Sequence, residues 1–154
     1  MKKLIAIISL TLILCMLCAC GGEEAKVIDI TKVKSDIVSQ IGITEPMDVK
    51  ADRLMDLYGI AATDVKTAAC FVTMDGVFPD EIIMVEAVDA SAASRIAEKL
   101  ESRLSEVKNQ SASYDAENYA IAQKCKVTKT GNYVTLFISA KHEDMQKIFD
   151  SAAK

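Results

Sequence analysis

Lys124-Cys125-Lys126-Val127-Thr128-Lys129-Thr130-Gly131-Asn132-Tyr133-Val134-Thr135-Leu136-Phe137-Ile138-Ser139 reads as a β-hairpin. Gly131 and Asn132 supply the positive φ of a tight reversal, and strands Lys124–Lys129 and Tyr133–Ser139 flank them. Side chains alternate across a strand. Cys125 and Val127 therefore share a face with Val134, Leu136 and Ile138. Lys124, Lys126 and Thr128 share the other with Tyr133, Thr135 and Phe137. One apolar and one mixed face predict an antiparallel sheet with helices on a single side.

Working outward, Ala93, Ile96, Ala97, Leu100, Leu104 and Val107 recur at helical spacing and predict the longest helix, started by Asp89 or Ser91. Arg95, Glu98, Lys99, Glu101, Arg103 and Glu106 make its wet side. Polar residues from Asn109 to Ser113 are expected to break it, and Asp115 to cap a short helix carrying Tyr119 and Ile121. Before it, Lys66–Met74 and Glu81–Val88 read as buried strands. Pro79 has no N–H for a ladder, so pairing is expected to begin only at Glu81.

Nearer the N-terminus, Ile30, Val33, Ile37, Val38 and Ile41 form one helical face between a cap at Asp29 or Thr31 and a stop at Gly42. Glu45-Pro46 predicts an extended break. Asp48 then opens a second helix with Ala51, Leu54, Met55 and Tyr58 inward, stopped by Gly59. After the hairpin, Ser139 is expected to cap a last helix with Met145, Ile148, Phe149 and Ala152 inward. The expected fold is α+β: a mostly antiparallel sheet of about four strands, helices packed chiefly on one face, and a single domain over 28–154.

The first residues carry an address. Lys2 and Lys3 precede an uncharged apolar run from Leu4 to Ala19, which has the form of a secretory signal over 1–19. Leu17-Cys18-Ala19-Cys20 resembles the lipobox of bacterial lipoproteins, with the Cys20 thiol as acceptor of a diacylglyceryl group and Ala19 small enough for cleavage behind it. The apolar run falls short of the ~20 residues of a membrane span. Residues 20–27 form a short linker, which at roughly 3.3 Å per residue reaches about 25 Å at most. The expected location is the extracytoplasmic face of the cell membrane, held there by lipid on Cys20.

The whole chain has 18 Lys+Arg against 22 Asp+Glu, net −4. Removing Lys2 and Lys3 with the signal leaves 16 against 22, net −6. Such a domain does not suit nucleic acid, whose binding runs on neutralising phosphates. Cys70 and Cys125 sit in apolar strand contexts and read as buried hydrophobes, although a disulfide is open to them outside the cytoplasm.

Nothing in the pattern predicts a catalytic residue, a metal site or a cofactor. His142, the only histidine, falls in the first turn of the last helix. Asp80-Glu81 and Glu143-Asp144 are adjacent carboxylates, which on a strand point to opposite faces and at a helix start complement the dipole. Two places are candidates for partner binding. Phe78, in the loop Gly76–Asp80, either contacts a partner or folds back over the sheet edge. Tyr114, Tyr119 and Tyr133, with Phe137, make an amphipathic platform if the second sheet face is open, or else lock the short helix onto the hairpin.

Glu81-Ile82, Ser113-Tyr114-Asp115 with Tyr119, Gly131-Asn132-Tyr133-Val134 and Leu57-Tyr58-Gly59-Ile60, in that arrangement along the chain, resemble a family of small bacterial lipoproteins catalogued as domain of unknown function 4358. The resemblance runs from about Ala51 to the C-terminus. It implies address and fold, and no activity. The expected function is a non-catalytic lipid-anchored module that binds an envelope protein or small ligand. The alternatives are an envelope hydrolase working with carboxylates and a purely structural component.

Overall fold

A computed structural model describes residues 27–74 and 79–154. The signal over 1–19, Cys20 and Phe78 lie outside the described residues.

Five α-helices and six strands are present among the described residues: α1 Ile30–Ile41, β1 Met47–Val49, α2 Leu54–Tyr58, β2 Val65–Ala68, β3 Cys70–Val72, β4 Glu81–Ala87, α3 Ala90–Tyr114, α4 Ala116–Lys124, β5 Val127–Thr130, β6 Tyr133–Ile138 and α5 His142–Ala152. All strands pair antiparallel in the order β1-β3-β4-β6-β5, with β2 beside β4 as well. The α+β class and the antiparallel sheet match expectation; the strand number is six, not about four.

Two features account for the extra strands. Lys66–Met74 divides at Ala69 into β2 and β3, which lie end to end along β4. The Ala69 N–H still bonds Met84 O at 2.9 Å, so the interruption costs no hydrogen bond there. Met47–Val49, expected at the start of a helix, instead pairs with β3, Met47 opposite Val72 and Val49 opposite Cys70. Glu45 takes a positive φ of 53° rather than the extended form expected before Pro46, and swings the chain onto the sheet edge. The second helix therefore starts late, with a 3-10 turn over Ala51–Arg53; Leu54 and Tyr58 are buried, while Ala51 and Met55 face outward.

The sheet is covered on both faces, not chiefly on one. Ile83, Val85 and Ala87 of β4 and Val134, Leu136 and Ile138 of β6 join a core built with Ile96, Leu100, Leu104 and Val107 of α3. Their alternate neighbours Ile82, Met84, Tyr133 and Phe137 join a second core with Val33 and Ile37 of α1 and Met145 and Phe149 of α5. The hairpin's mixed face misled because Tyr133 and Phe137 suffice to seat two amphipathic helices. Burial is complete along β4 and β6.

Local chemistry sets the helix ends. Asp29 Oδ1 accepts the N–H groups of Thr31 and Lys32, and Gly42 closes α1 at φ 76°. Asp89 caps α3 through the Ala92 N–H at 2.7 Å. This helix runs on through Asn109–Ser113, where a break was expected. Ser111 continues the buried stripe four residues after Val107 and returns its hydroxyl to Val107 O at 2.7 Å, so its burial carries no orphan group. α5 begins at His142, because Ser139 spends its side chain on the Lys141 N–H in the turn before. Ala152, expected inward, is exposed.

Candidate functional site

The first residue of β4 is a carboxylate, followed by the apolar run Ile82–Val85. Glu81 lies opposite Val72 on one side and Ile138 on the other, on the α3 face of the sheet. Its side chain is only 6 % exposed, so it needs a cation. Arg103 of α3 supplies one: Nε donates to Glu81 Oε2 at 3.1 Å and Nη2 to Oε1 at 2.5 Å. Nη1 turns toward Glu106 at 3.4 Å. This bidentate geometry holds the Arg103 pKa above its ordinary value, the hydrogen bonds to Glu81 being the main cause. Tyr58 of α2 lies beside the pair; burial first, then the Glu81 charge, push its hydroxyl pKa well up.

Next to this pair the sheet end opens into a cleft of about 160 Å³ between α3, α4 and the ends of β4 and β6. Pro79, Val107, Ile121 and Ile138 give it apolar walls, and Asp80, Glu81, Arg103, Gln110 and Asn118 its polar ones. Asp80 Oδ2 accepts from Ser139 Oγ at 2.7 Å. Asn118 is oriented by the cap of α4: Asp115 Oδ1 accepts the backbone N–H of Glu117 and Asn118, and its Oδ2 accepts Asn118 Nδ2 at 2.7 Å. The hydrogen bonds from Asn118 hold the Asp115 carboxyl below its usual range. Exposed apolar residues stand nearby. Met74 follows β3 close to Asp80, since Thr73 N–H bonds Asp80 O at 3.1 Å. Met47 is paired with Val72 in the same edge.

The residues expected to bind a partner do not assemble as one platform. Tyr114 is 89 % exposed at the end of α3, just past the cleft, and Tyr119 is partly exposed on α4. Tyr133 is buried in the second core, where its hydroxyl accepts the Ile28 N–H at 3.0 Å and its ring meets Phe149 edge-on at 6.4 Å. Phe137 is buried on that same face. The platform required an open second face, and α1 and α5 occupy it.

Cys70 and Cys125 are unbridged and buried. Burial raises the Cys70 thiol to about 11 and moves Cys125 in the same direction. His142 is half-buried with Nδ1 2.9 Å from Ser139 O, beside a wider groove lined by Lys124, Lys126, Phe137 and Lys147. Asp64 and Glu98, from separate elements, meet at another groove, but Arg95 binds Asp64 through two hydrogen bonds and lowers its pKa. Among the described residues, no three of His, Cys, Asp and Glu gather as a metal site. No described helix is long and apolar enough to cross a membrane.

Sequence reading missed Arg103, which was assigned to the wet side of α3. It flanks the Leu100–Leu104–Val107 stripe, close enough to turn inward. The available signal was Glu81 itself, a charge heading the apolar run Ile82–Val85. Tyr58, Glu81 and the Tyr114-Asp115 cap, far apart in the chain, all border this one end of the sheet.

A family described as Domain of unknown function (DUF4358) matches residues 39–139. The match begins earlier than Ala51, reaching back into the end of α1, and stops before α5. No curated protein and no solved structure matches.

Proposed function

We propose that this chain, which belongs to the DUF4358 family, works by contact: a lipid-anchored, extracytoplasmic binding module that receives an envelope protein at the cleft beside Glu81. The supporting observation is the opposition of two ends. The described chain begins at Val27, and Ile28 is bonded to Tyr133, which pairs with Glu86 near the end of β4. Glu81 and the cleft lie at the start of the same strand. Glu81 and Glu86 stand five positions apart on β4, roughly 17 Å at about 3.3 Å per residue.

With Cys20 as anchor, the chain enters the domain at the Ile28 end, and the cleft, Met74 and Tyr114 lie toward the opposite end of β4 from that entry. A preformed concavity with apolar walls and a few oriented polar groups suits recognition. Exposed aromatic and methionine side chains beside it suit a protein partner.

The test is surface crosslinking from a photoreactive residue at Gln110, read by mass spectrometry, in cells making the intact chain or Cys20→Ser. The proposal expects a discrete crosslinked protein from Gln110, none from a control position at Asn132, and loss of membrane retention in Cys20→Ser. Full retention of the serine form removes the anchor. Equal crosslinking from both positions removes the cleft as the contact.

A further inference from the structure

We propose that residues 44–53 form a detachable strap: β1 leaves the sheet margin and returns while the rest of the domain stays folded. The strap runs between two fixed points. On one side the Ile43 N–H bonds Val38 O at 3.0 Å and ties the chain to the end of α1. On the other, Leu54 opens α2 with its side chain fully buried. Between them only Pro46 and Val49 are even partly buried, and the 3-10 turn Ala51–Arg53 buries nothing. Such a segment can lift without moving α1 or α2. Stretches with few buried apolar contacts and exposed backbone hydrogen bonds open at the low end of the free-energy scale.

The docked form carries strain. Glu45, at φ 53°, is the one non-glycine residue with a positive φ among the described residues. A Cβ disfavours that region, and the proline that follows favours extended backbone before it. Detaching β1 frees Glu45 to take the extended form. Docking is held by three residue pairs with β3, by Val49 against the first core, and by one ion pair. In that pair Lys34 of α1 donates to Asp48 Oδ1 at 2.5 Å. The same ammonium lies 5.9 Å from the centre of the Phe71 ring, and Phe71 is the residue opposite Asp48. Lys34 is only 21 % exposed, whereas Asp48 is 65 % exposed. The lysine therefore stays with β3 when the strap lifts, and the exposed aspartate adds little to the hold.

The centre of the sheet is built differently. β4 and β6 share six residue pairs, and every residue of both strands is buried. The strap nevertheless reaches the candidate site. Met47, Val72, Glu81 and Ile138 stand in one row across β1, β3, β4 and β6. Lifting β1 bares the flank of Val72, the residue paired with Glu81.

The test is amide hydrogen exchange of the isotopically labelled full chain in dodecylmaltoside micelles, followed by NMR over urea concentrations below the unfolding midpoint. Amides of the β1–β3 ladder are expected to exchange about a hundredfold faster than those of the β4–β6 ladder. Urea is expected to change that opening little, because little surface is exposed by it. Asp48→Ala removes the ion pair and raises the β1–β3 opening constant about threefold. Glu45→Val, whose branched side chain tolerates positive φ least, raises it about tenfold. Glu45→Gly, which takes that φ freely, lowers it about threefold. Exchange of the β1–β3 amides at the rate and urea dependence of the β4–β6 amides overturns the proposal, because β1 then leaves only when the whole domain unfolds. An opening constant that neither Glu45 variant moves overturns it as well.

Discussion

Arg103 grips Glu81 with two parallel hydrogen bonds, of 3.1 and 2.5 Å, across 22 residues of chain. The carboxylate is nearly enclosed while a quarter of the arginine reaches solvent. Removing one partner strands a buried charge, which costs about 3–5 kcal/mol. Arg103→Met is therefore expected to lower stability by that order in urea unfolding. The double variant Arg103→Met with Glu81→Leu restores most of the loss, because the second change removes the stranded carboxylate. If the double variant is no better than the single one, the pair is not what Glu81 depends on.

Tyr133 and Tyr114 separate packing from contact. Tyr133→Ala empties a core position and should destabilise by about 3–5 kcal/mol, as large aromatic truncations do. Tyr133→Phe keeps the ring but leaves the Ile28 N–H without its acceptor, at a cost of about 1–3 kcal/mol. Tyr114→Ala should stay within about 0.5 kcal/mol of the parent, since exposed positions rarely matter more. Denaturation midpoints of the three variants rank these costs directly. If the binding proposal holds, Tyr114→Ala also weakens partner crosslinking.

The Cys70 thiol makes stability fall in alkali. Its ordinary value is 9.0 and the folded value is about 11. The folded state therefore holds a proton that the unfolded chain releases, and stability present below pH 9 is lost as pH rises toward 11. Urea midpoints at pH 8, 9.5 and 10.5 should decline for the parent. In Cys70→Ala the starting midpoint is lower, because a buried side chain is trimmed, but the decline over this range is shallower. Parallel declines in parent and variant would assign the effect to other groups, Tyr58 first among them.

Asp89 accepts the Ala92 N–H at 2.7 Å and starts the 25-residue α3. Asp89→Ala should cost about 1 kcal/mol, the usual worth of such a cap. Asp89→Ser should recover most of it. Hydrogen exchange at the first turn of α3 reports both changes, and unaltered protection in the alanine form would show that tertiary packing alone holds that turn.

Periodicity and caps were readable where each element follows a local rule. Asp29, Asp89 and Asp115 start their helices as their chemistry requires, and Gly42 and Gly59 end theirs with positive φ. The hairpin around Gly131 and the start of pairing at Val72–Glu81 were readable too, although Gly131 alone of the turn pair takes a positive φ and the first strand starts at Val127 because α4 runs on through Lys124. Met47–Val49 was not, because three residues carry too little pattern to declare a strand and only pairing with β3 makes them one. The second core was hidden by Thr135, whose hydroxyl bonds Gln146 of α5 and so fits a polar residue inside a covered face. The cleft was beyond reach: Asp80, Arg103 and Asn118 are ordinary surface types until the fold aligns α3 and α4 over the sheet end.

The six aligned residue pairs of β4 and β6 run lengthwise between the Ile28 end and the cleft. A load applied between those two ends pulls along these strands, so their cross-links resist together instead of failing singly like the teeth of a zipper. Under the proposed anchoring and partner contact, the sheet is hardened in the direction of pull, while a sideways tug on the three-residue β1 peels it from the margin with little force.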